Sequence, residues 1–130
     1  MGILAGRRPK YLGARDGKLA PCSWKPNCVS SQSEGRHFIK PMQFNYEPSV
    51  AWAKLKAILG SMPGVNIVAN DGFYLHAECS SSVLGFVDDL ELLLIPEEKI
   101  CHIRSAARLG LSDLGVNRKR ANFIRQRFDQ

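Results

Sequence analysis

The chain has no run of apolar residues long enough to cross a membrane, which takes roughly 18 to 20 residues in succession. Its first residues, Met-Gly-Ile-Leu-Ala-Gly-Arg-Arg, also lack the apolar stretch of a secretion signal. We therefore expect a cytoplasmic protein that is not an integral membrane protein.

The signatures of common catalytic and cofactor sites are missing too. There is no Gly-x-Ser-x-Gly motif, no glycine-rich phosphate-binding loop and no closely spaced histidine pair. The four cysteines are not spaced as paired zinc ligands, which usually lie roughly two to four residues apart: Cys22, Cys28, Cys79 and Cys101. We predict no metal and no cofactor, and we favour a non-catalytic protein over an enzyme.

Positive charge is concentrated at the two ends of the chain. The formal net charge of +6 arises mainly from residues 1–20, with five basic and one acidic residue, and residues 113–130, with five basic and two acidic residues. Such ends could meet anionic lipid or nucleic acid, although a solvent-exposed basic face is the simpler interpretation. No set of aromatic residues for stacking on bases accompanies the charge, so nucleic acid is not expected as a partner.

The length of 130 residues fits one domain. Residues 1–20 contain scattered glycines and no periodicity, which predicts a basic flexible arm that is mobile or lies across the domain. Residues 21–130 are predicted to form a single α+β domain.

Hydrophobic periodicity predicts two helices and four strands. The first helix should run from Pro48 to Leu59, and the last should begin near Ser112 or Asp113. The apolar face of the last helix is predicted to hold Leu114, Asn117, Ala121, Ile124 and Phe128. Strands are predicted at residues 65–70, 73–80, 86–95 and 100–106. The expected fold is a two-layer α+β domain, a four-stranded antiparallel meander with both helices on one face.

Strand parity also predicts how the strands pair. If the turn after residue 95 pairs Ile95 with Ile100, then Glu91 lies opposite Arg104 and His76 lies beside Glu91. These three side chains would form a row on the outer, solvent-exposed face, with Glu78 and Asp89 nearby. Such a row could be an acid–base site, but cross-strand charge pairing is the interpretation we favour.

Asp88 is predicted to point toward the core, where an unpaired charge would be costly. We expect it to join Arg108, Asp113 and Asn117 in a hydrogen-bonded cluster beneath the start of the last helix. Replacing Asp88 with Ala should then cost more stability than replacing Glu91.

The junction from Arg104 to Arg120 is the strongest candidate site, because polar and glycine residues replace the apolar ones that a core needs. Glycines allow close approach of the backbone to a ligand, and a helix N-terminus near arginines favours an anion. Asp113 opposes that assignment, and a structural helix cap is the alternative that we favour. The candidate ligand-binding residues are Arg104, Arg108, Ser112, Asp113, Asn117 and Arg118, and the candidate structural residues are Asp88, Asp89, Cys22 and Cys28.

Three separated motifs resemble the uncharacterised domain-of-unknown-function family fourteen ninety-nine. They are the loop from Cys22 to Ser31, the strand from Gly85 to Asp89, and the segment from Arg104 to Arg120, and the resemblance covers most of residues 18–128. The resemblance implies a bacterial protein with plastid relatives and no agreed activity, cofactor or catalytic residue. Many such proteins carry an export segment, and in those a Cys22–Cys28 disulfide would make sense. Ala107 departs from the Ser that is more usual there.

We therefore predict a small binding or interaction module that holds an anionic ligand or a protein partner at the Arg104–Arg120 junction. The alternative is a small hydrolase-like enzyme. It would use His76 or His102 with Glu91 or Asp89, or else Cys22 or Cys28 as the nucleophile.

Overall fold

The computed structural model describes residues 5–81 and 85–130. Two α-helices and one antiparallel sheet make an α+β fold, as predicted, but the sheet has six strands and not four. The elements in chain order are β1 Cys28–Ser30, β2 Met42–Gln43, α1 Pro48–Gly60, β3 Val65–Asp71, β4 Tyr74–Ser80, β5 Val87–Ile95, β6 Ile100–Ala107 and α2 Val116–Phe128.

The strand order is β1-β6-β5-β4-β3, and β2 also pairs with β6. The four long strands form the predicted meander. The two added strands, β1 and β2, lie along the edge of β6 that the meander leaves open. They are three and two residues long, too short for the alternation of apolar and polar residues by which a strand is recognised in a sequence.

The predicted register of the meander is confirmed. Ile95 pairs with Ile100, and this places Glu91 opposite Arg104. The next pairing along the sheet places His76 beside Glu91. The tight turn between β5 and β6 fixes this register, because a slip of one residue would move every apolar side chain to the wrong face.

One face of the sheet packs against both helices and forms the core. Apolar residues of the strands meet the buried side chains of the helices in one cluster, which includes Trp52, Leu55, Leu59, Leu75, Leu90, Leu92, Ile103, Ile124 and Phe128. Burial of each large apolar side chain contributes about 1.5–3 kcal/mol, so this face accounts for much of the stability. Asn117 lies on the buried face of α2, as predicted, whereas Leu114 precedes the helix and is 88% exposed.

The other face of the sheet is not open to solvent, so the two-layer prediction was wrong. His76, Glu91 and Arg104 are only 4%, 0% and 3% exposed. The described part of the N-terminal arm, residues 5–20, covers them: the Tyr11 ring lies over the guanidinium of Arg104, and the backbone N–H of Gly13 donates a hydrogen bond to Glu91.

Candidate functional site

A buried ionic cluster occupies the outer face of the sheet near the ends of β4, β5 and β6. Arg108 donates two hydrogen bonds of 2.8 Å to the carboxylate of Asp89, and it also pairs with Glu78. The imidazole Nε2 of His76 lies 2.7 Å from Oδ1 of Asp89, the oxygen that also accepts from Nη2 of Arg108. Burial alone would raise the pKa of Asp89, but the hydrogen bonds and positive charge of Arg108 and His76 hold it below its usual value.

Glu91 and Arg104 form a second buried pair beside this cluster. One carboxylate oxygen of Glu91 accepts hydrogen bonds from the Tyr74 hydroxyl at 2.6 Å and from the backbone of Gly13 at 2.8 Å. The other oxygen, Oε1, lies 3.5 Å from Nη1 of Arg104. Burial, followed by the neighbouring Glu91 carboxylate, raises the pKa of Tyr74. The pair is therefore held by charge attraction in a site closed by the arm.

Three side chains of the outer face are close enough together to be considered as ligands of a metal ion. Donor atoms of His76, Glu78 and Asp89 lie within 4.8 Å of one another, close enough to surround a metal ion. Arg108 already contacts both carboxylates, however, and Arg8 adds a second positive charge at Glu78. Two guanidinium groups would repel a metal cation. Arg104 and Arg108 are themselves paired with carboxylates, Arg104 with Glu91 and Arg108 with Asp89 and Glu78. Anion binding by these arginines stays a prediction.

The cluster predicted beneath the last helix exists, with one member exchanged. Asp88 pairs with Arg120 at 3.0 Å, and Arg120 donates to the Asn117 side chain at 2.8 Å. Asn117 in turn donates to Asp113 at 2.7 Å. Arg108, which was expected here, lies on the opposite face of the sheet. Arg120 takes its place because it stands three residues after Asn117, on the same side of α2.

Ser105 completes this cluster and was missed from the sequence. Its hydroxyl donates to Oδ1 of Asn117 at 2.6 Å. Strand parity could have found it, because Ser105 alternates with Arg104 and must therefore face the helices.

The last helix begins at Val116, after the N-cap residue Gly115, and so starts later than the predicted start near Ser112 or Asp113. Asp113 nevertheless bonds to its first turn. Its carboxylate accepts hydrogen bonds from the backbone N–H groups of Gly115 and Asn117. Burial raises the pKa of Asp113, but these bonds and the one from the Asn117 side chain outweigh burial and lower it. Gly115 takes the left-handed conformation, with φ of 81°, that the turn into the helix requires.

The loop that precedes β1 is closed by a disulfide between Cys22 and Cys28. A small cavity of about 300 Å³ lies between this loop and the start of α2, with Ser112, Asp113 and Arg118 in its wall. The guanidinium of Arg118 donates hydrogen bonds to the backbone carbonyl oxygens of Arg36 and Phe38 and ties the two segments together.

A larger cavity of about 540 Å³ opens on the other side of the same junction, between the ends of β5 and β6 and the start of α2. We call it the junction cavity. Its wall is mainly apolar, with Phe86, Val87, Ala107, Leu109, Leu114 and Val116. Its polar side chains are those of Asp88, Asp113, Arg120, Cys79, Ser80, Ser81 and Ser112.

The polar groups of the junction cavity are only partly paired. Burial raises the pKa of Asp88, and Arg120 opposes that rise. Nη1 of Arg120 makes hydrogen bonds to Asp88, Ser105 and Asn117. Within residues 5–81 and 85–130, no hydrogen bond uses Nε or Nη2 of Arg120. The cavity thus combines an apolar wall with unused hydrogen-bond donors.

The side chains that an enzyme would need are placed elsewhere or are unreactive. Cys22 and Cys28 are bonded to each other, and His102 pairs with Ser31 at 2.9 Å and not with a carboxylate. His76 does pair with Asp89, but beneath the arm. In the junction cavity, burial raises the pKa of Cys79 to about 11, so this thiol is protonated at neutral pH.

None of the helices within the described residues is long and apolar enough to cross a membrane. No curated protein and no solved structure matches the chain. Residues 18–128 match the sequence profile of the DUF1499 family, whose description is "Protein of unknown function". This range contains the loop, strand and junction motifs, so the chain belongs to the DUF1499 family.

Proposed function

We propose that this protein is a non-catalytic binding module that takes a small amphipathic molecule into the junction cavity. The observation that carries the proposal is the combination of a mainly apolar wall with the Asp88–Arg120 pair in one cavity of about 540 Å³. Small-molecule sites in proteins are typically concave and apolar, with a few polar groups that fix orientation, and occupy about 300–1,000 Å³.

The charges around the cavity indicate which polar end the ligand carries. Asp88 and Asp113 contribute two carboxylates, and Arg120 contributes one guanidinium. An anionic end would meet net negative charge, whereas a hydroxyl, amide or amine can accept from Arg120 or donate to Asp88. We therefore favour a neutral or amine-bearing ligand over the anionic one predicted from Arg104 and Arg108.

The hydrolase-like alternative is less well supported. It requires a nucleophile and a base that meet in an accessible site. Cys22 and Cys28 are joined in a disulfide, and the His76–Asp89 pair is covered by the arm. Binding in the junction cavity needs no such rearrangement.

The cytoplasmic location predicted from the sequence stays a prediction. The Cys22–Cys28 disulfide weighs against it, because disulfides persist mainly in oxidising compartments and are reduced in most cytosols. We propose that the protein works where this bond is maintained. Mass measurement of the protein from its own host, before and after thiol alkylation in denaturant without reductant, tests this. Two alkylated thiols, those of Cys79 and Cys101, support an oxidised loop, and four contradict it.

Binding to the junction cavity can be tested with the neutral fluorescent probe Nile red. Val116→Trp places a bulky ring in the cavity wall and should weaken saturable probe binding about tenfold, the equivalent of ~1.4 kcal/mol. Val50→Trp is the matched control, because Val50 is also a partly exposed valine in the first turn of a helix, distant from the cavity. Absence of saturable binding, or equal weakening by both substitutions, would contradict the proposal.

The same assay tests the charge of the polar end. Dodecylamine, dodecanol and dodecanoate share one apolar chain and differ in their end group. Below their micelle-forming concentrations, the amine and the alcohol should displace Nile red better than the carboxylate. Preference for dodecanoate would show that Arg120 dominates the cavity and that the ligand is anionic after all.

A further inference from the structure

The mouth of the junction cavity carries more exposed apolar surface than the core requires. Leu111 is 57% exposed and Leu114 is 88% exposed, and both lie in the loop between β6 and α2. Leu109 and Phe86 stand beside them, at 40% and 38%. Phe86, Leu109 and Leu114 line the junction cavity, and Leu111 lies between Leu109 and Leu114 in the chain. An exposed apolar patch of this kind marks an interaction site. We call these four side chains the apolar rim.

The loop is built to hold Leu114 outward. This residue has a positive φ of 55°, which is unfavourable for a branched side chain. Its backbone N–H donates to the Ser112 hydroxyl, and the next N–H donates to the Asp113 carboxylate. These local bonds stabilise a conformation that turns the leucine away from the core.

Positive charge flanks the apolar rim on two sides. The backbone of Gly6 packs against Leu109, which places the exposed Arg7 at one edge. Lys119 is also exposed, and it lies one helical turn after Val116 of the cavity wall. The helix itself has five basic residues and no acidic one between Val116 and Phe128. The nearby Asp113 is turned into the helix start, where it accepts hydrogen bonds.

We propose that the apolar rim docks on the surface of an anionic phospholipid membrane. Protruding aliphatic side chains enter the boundary between headgroups and acyl chains, and the flanking cations pair with lipid phosphates. A protein partner fits less well, because the centres of protein interfaces favour aromatic residues and arginine over leucine. Docking goes beyond the proposed ligand binding and does not depend on it.

Sedimentation with lipid vesicles tests the proposal. The intact protein should bind vesicles of phosphatidylcholine and phosphatidylglycerol in equal amounts, and more weakly at high salt or on phosphatidylcholine alone. Leu111→Asp combined with Leu114→Asp should weaken binding about tenfold or more. Val50→Asp, which also places a carboxylate at an exposed apolar site, should leave binding unchanged.

Each contrary result has a defined meaning. Absence of vesicle binding, or equal binding by the double variant, overturns the proposal. Sedimentation of the protein without vesicles, abolished in the double variant, would identify the rim as a contact between copies of the chain and also overturn it. Val116→Trp separates the two proposals, because it should reduce Nile red binding and leave vesicle binding intact. Circular dichroism of each variant confirms that it is folded.

Discussion

Replacement of Glu91 by Gln should destabilise the protein more than any single change to the junction cavity. The substitution keeps the shape of the side chain but removes its charge, so Arg104 remains buried without a counterion. Gln can still accept a hydrogen bond from Tyr74 or Gly13. The loss is therefore mainly the cost of an unpaired buried charge, and not of missing hydrogen bonds.

The expected cost is about 3 kcal/mol, the lower end of the range for breaking a buried ion pair. A loss of this size is a large part of the total stability of a small domain and corresponds to a fall of roughly 10 °C in melting temperature. Urea unfolding followed by the fluorescence of Trp52 measures it. Trp52 is buried in the core and reports unfolding, whereas Trp24 is exposed and changes little.

Asp88→Asn is the matched control, with an expected cost of about 1 kcal/mol. Arg120 keeps its bonds to Ser105 and Asn117 and is partly open to solvent. The structure thus reverses the order that the sequence predicted for Asp88 and Glu91. A loss of under ~1 kcal/mol for Glu91→Gln, or a loss no larger than that of Asp88→Asn, would refute the reasoning.

A double substitution distinguishes charge from packing. Arg104→Met combined with Glu91→Gln removes both charges, so it should cost less than the sum of the two single changes. Limited trypsin digestion gives an independent readout, because Gly13 of the arm is bound to Glu91. Faster cleavage within the arm of Glu91→Gln, under conditions where the core stays intact, is the expected result.

Two further predictions concern the loop and the outer face. Cys22→Ser combined with Cys28→Ser should lower the free energy of unfolding by about 2 kcal/mol, because the bond closes a short loop in the unfolded chain; an unchanged urea midpoint would contradict this. The pKa of Asp89 is lower in the folded state than in the unfolded chain, so its pairing with Arg108 and His76 stabilises fully above about pH 4 and is lost as pH falls. Asp89→Asn should therefore be less stable than the unchanged protein near neutral pH, and its urea midpoint should fall less steeply as the pH is lowered toward about 2. Urea midpoints that fall in parallel in the two proteins would contradict this.

The meander and its register could be predicted because local rules determine them. Apolar alternation, a hairpin turn at Gly72 and a tight turn before Ile100 leave one pairing that places the apolar residues of β4, β5 and β6 that alternate with Glu91 and Arg104 on the core face. The short strands β1 and β2 could not be found in this way. Their pairing with β6 depends on a distant strand edge, and the sequence alone does not show which segment covers it.

Some of the contacts at the Arg104–Arg120 junction could be predicted from the sequence, and others could not. The burial of Asn117 follows from helical spacing and is found, and Asp113 bonds to the first turn of the helix although the helix begins only at Val116. The sequence prediction put Arg108 on the wrong face of the sheet because it ended β6 at residue 106. The strand continues to Ala107, and the alternation of side chains continued past it turns Arg108 to the outer face. The exposed position of Leu114 depends on a positive φ that a leucine rarely adopts, so helical periodicity placed it in the core.

The distribution of charge between the two faces of the sheet shows what the arginines of the junction do in the fold. Arg104 and Arg108 lie among Glu78, Asp89 and Glu91 and are covered by the arm, although Nε and Nη1 of Arg104 have no hydrogen-bond partner among the described residues. A buried, charge-paired set of this kind specifies how the arm lies on the sheet. The cavity on the other face of the sheet has a mainly apolar wall, and its charged groups are Asp88, Asp113 and Arg120. Binding needs surface that the fold itself has not satisfied, and we propose that at this junction this surface is the apolar wall.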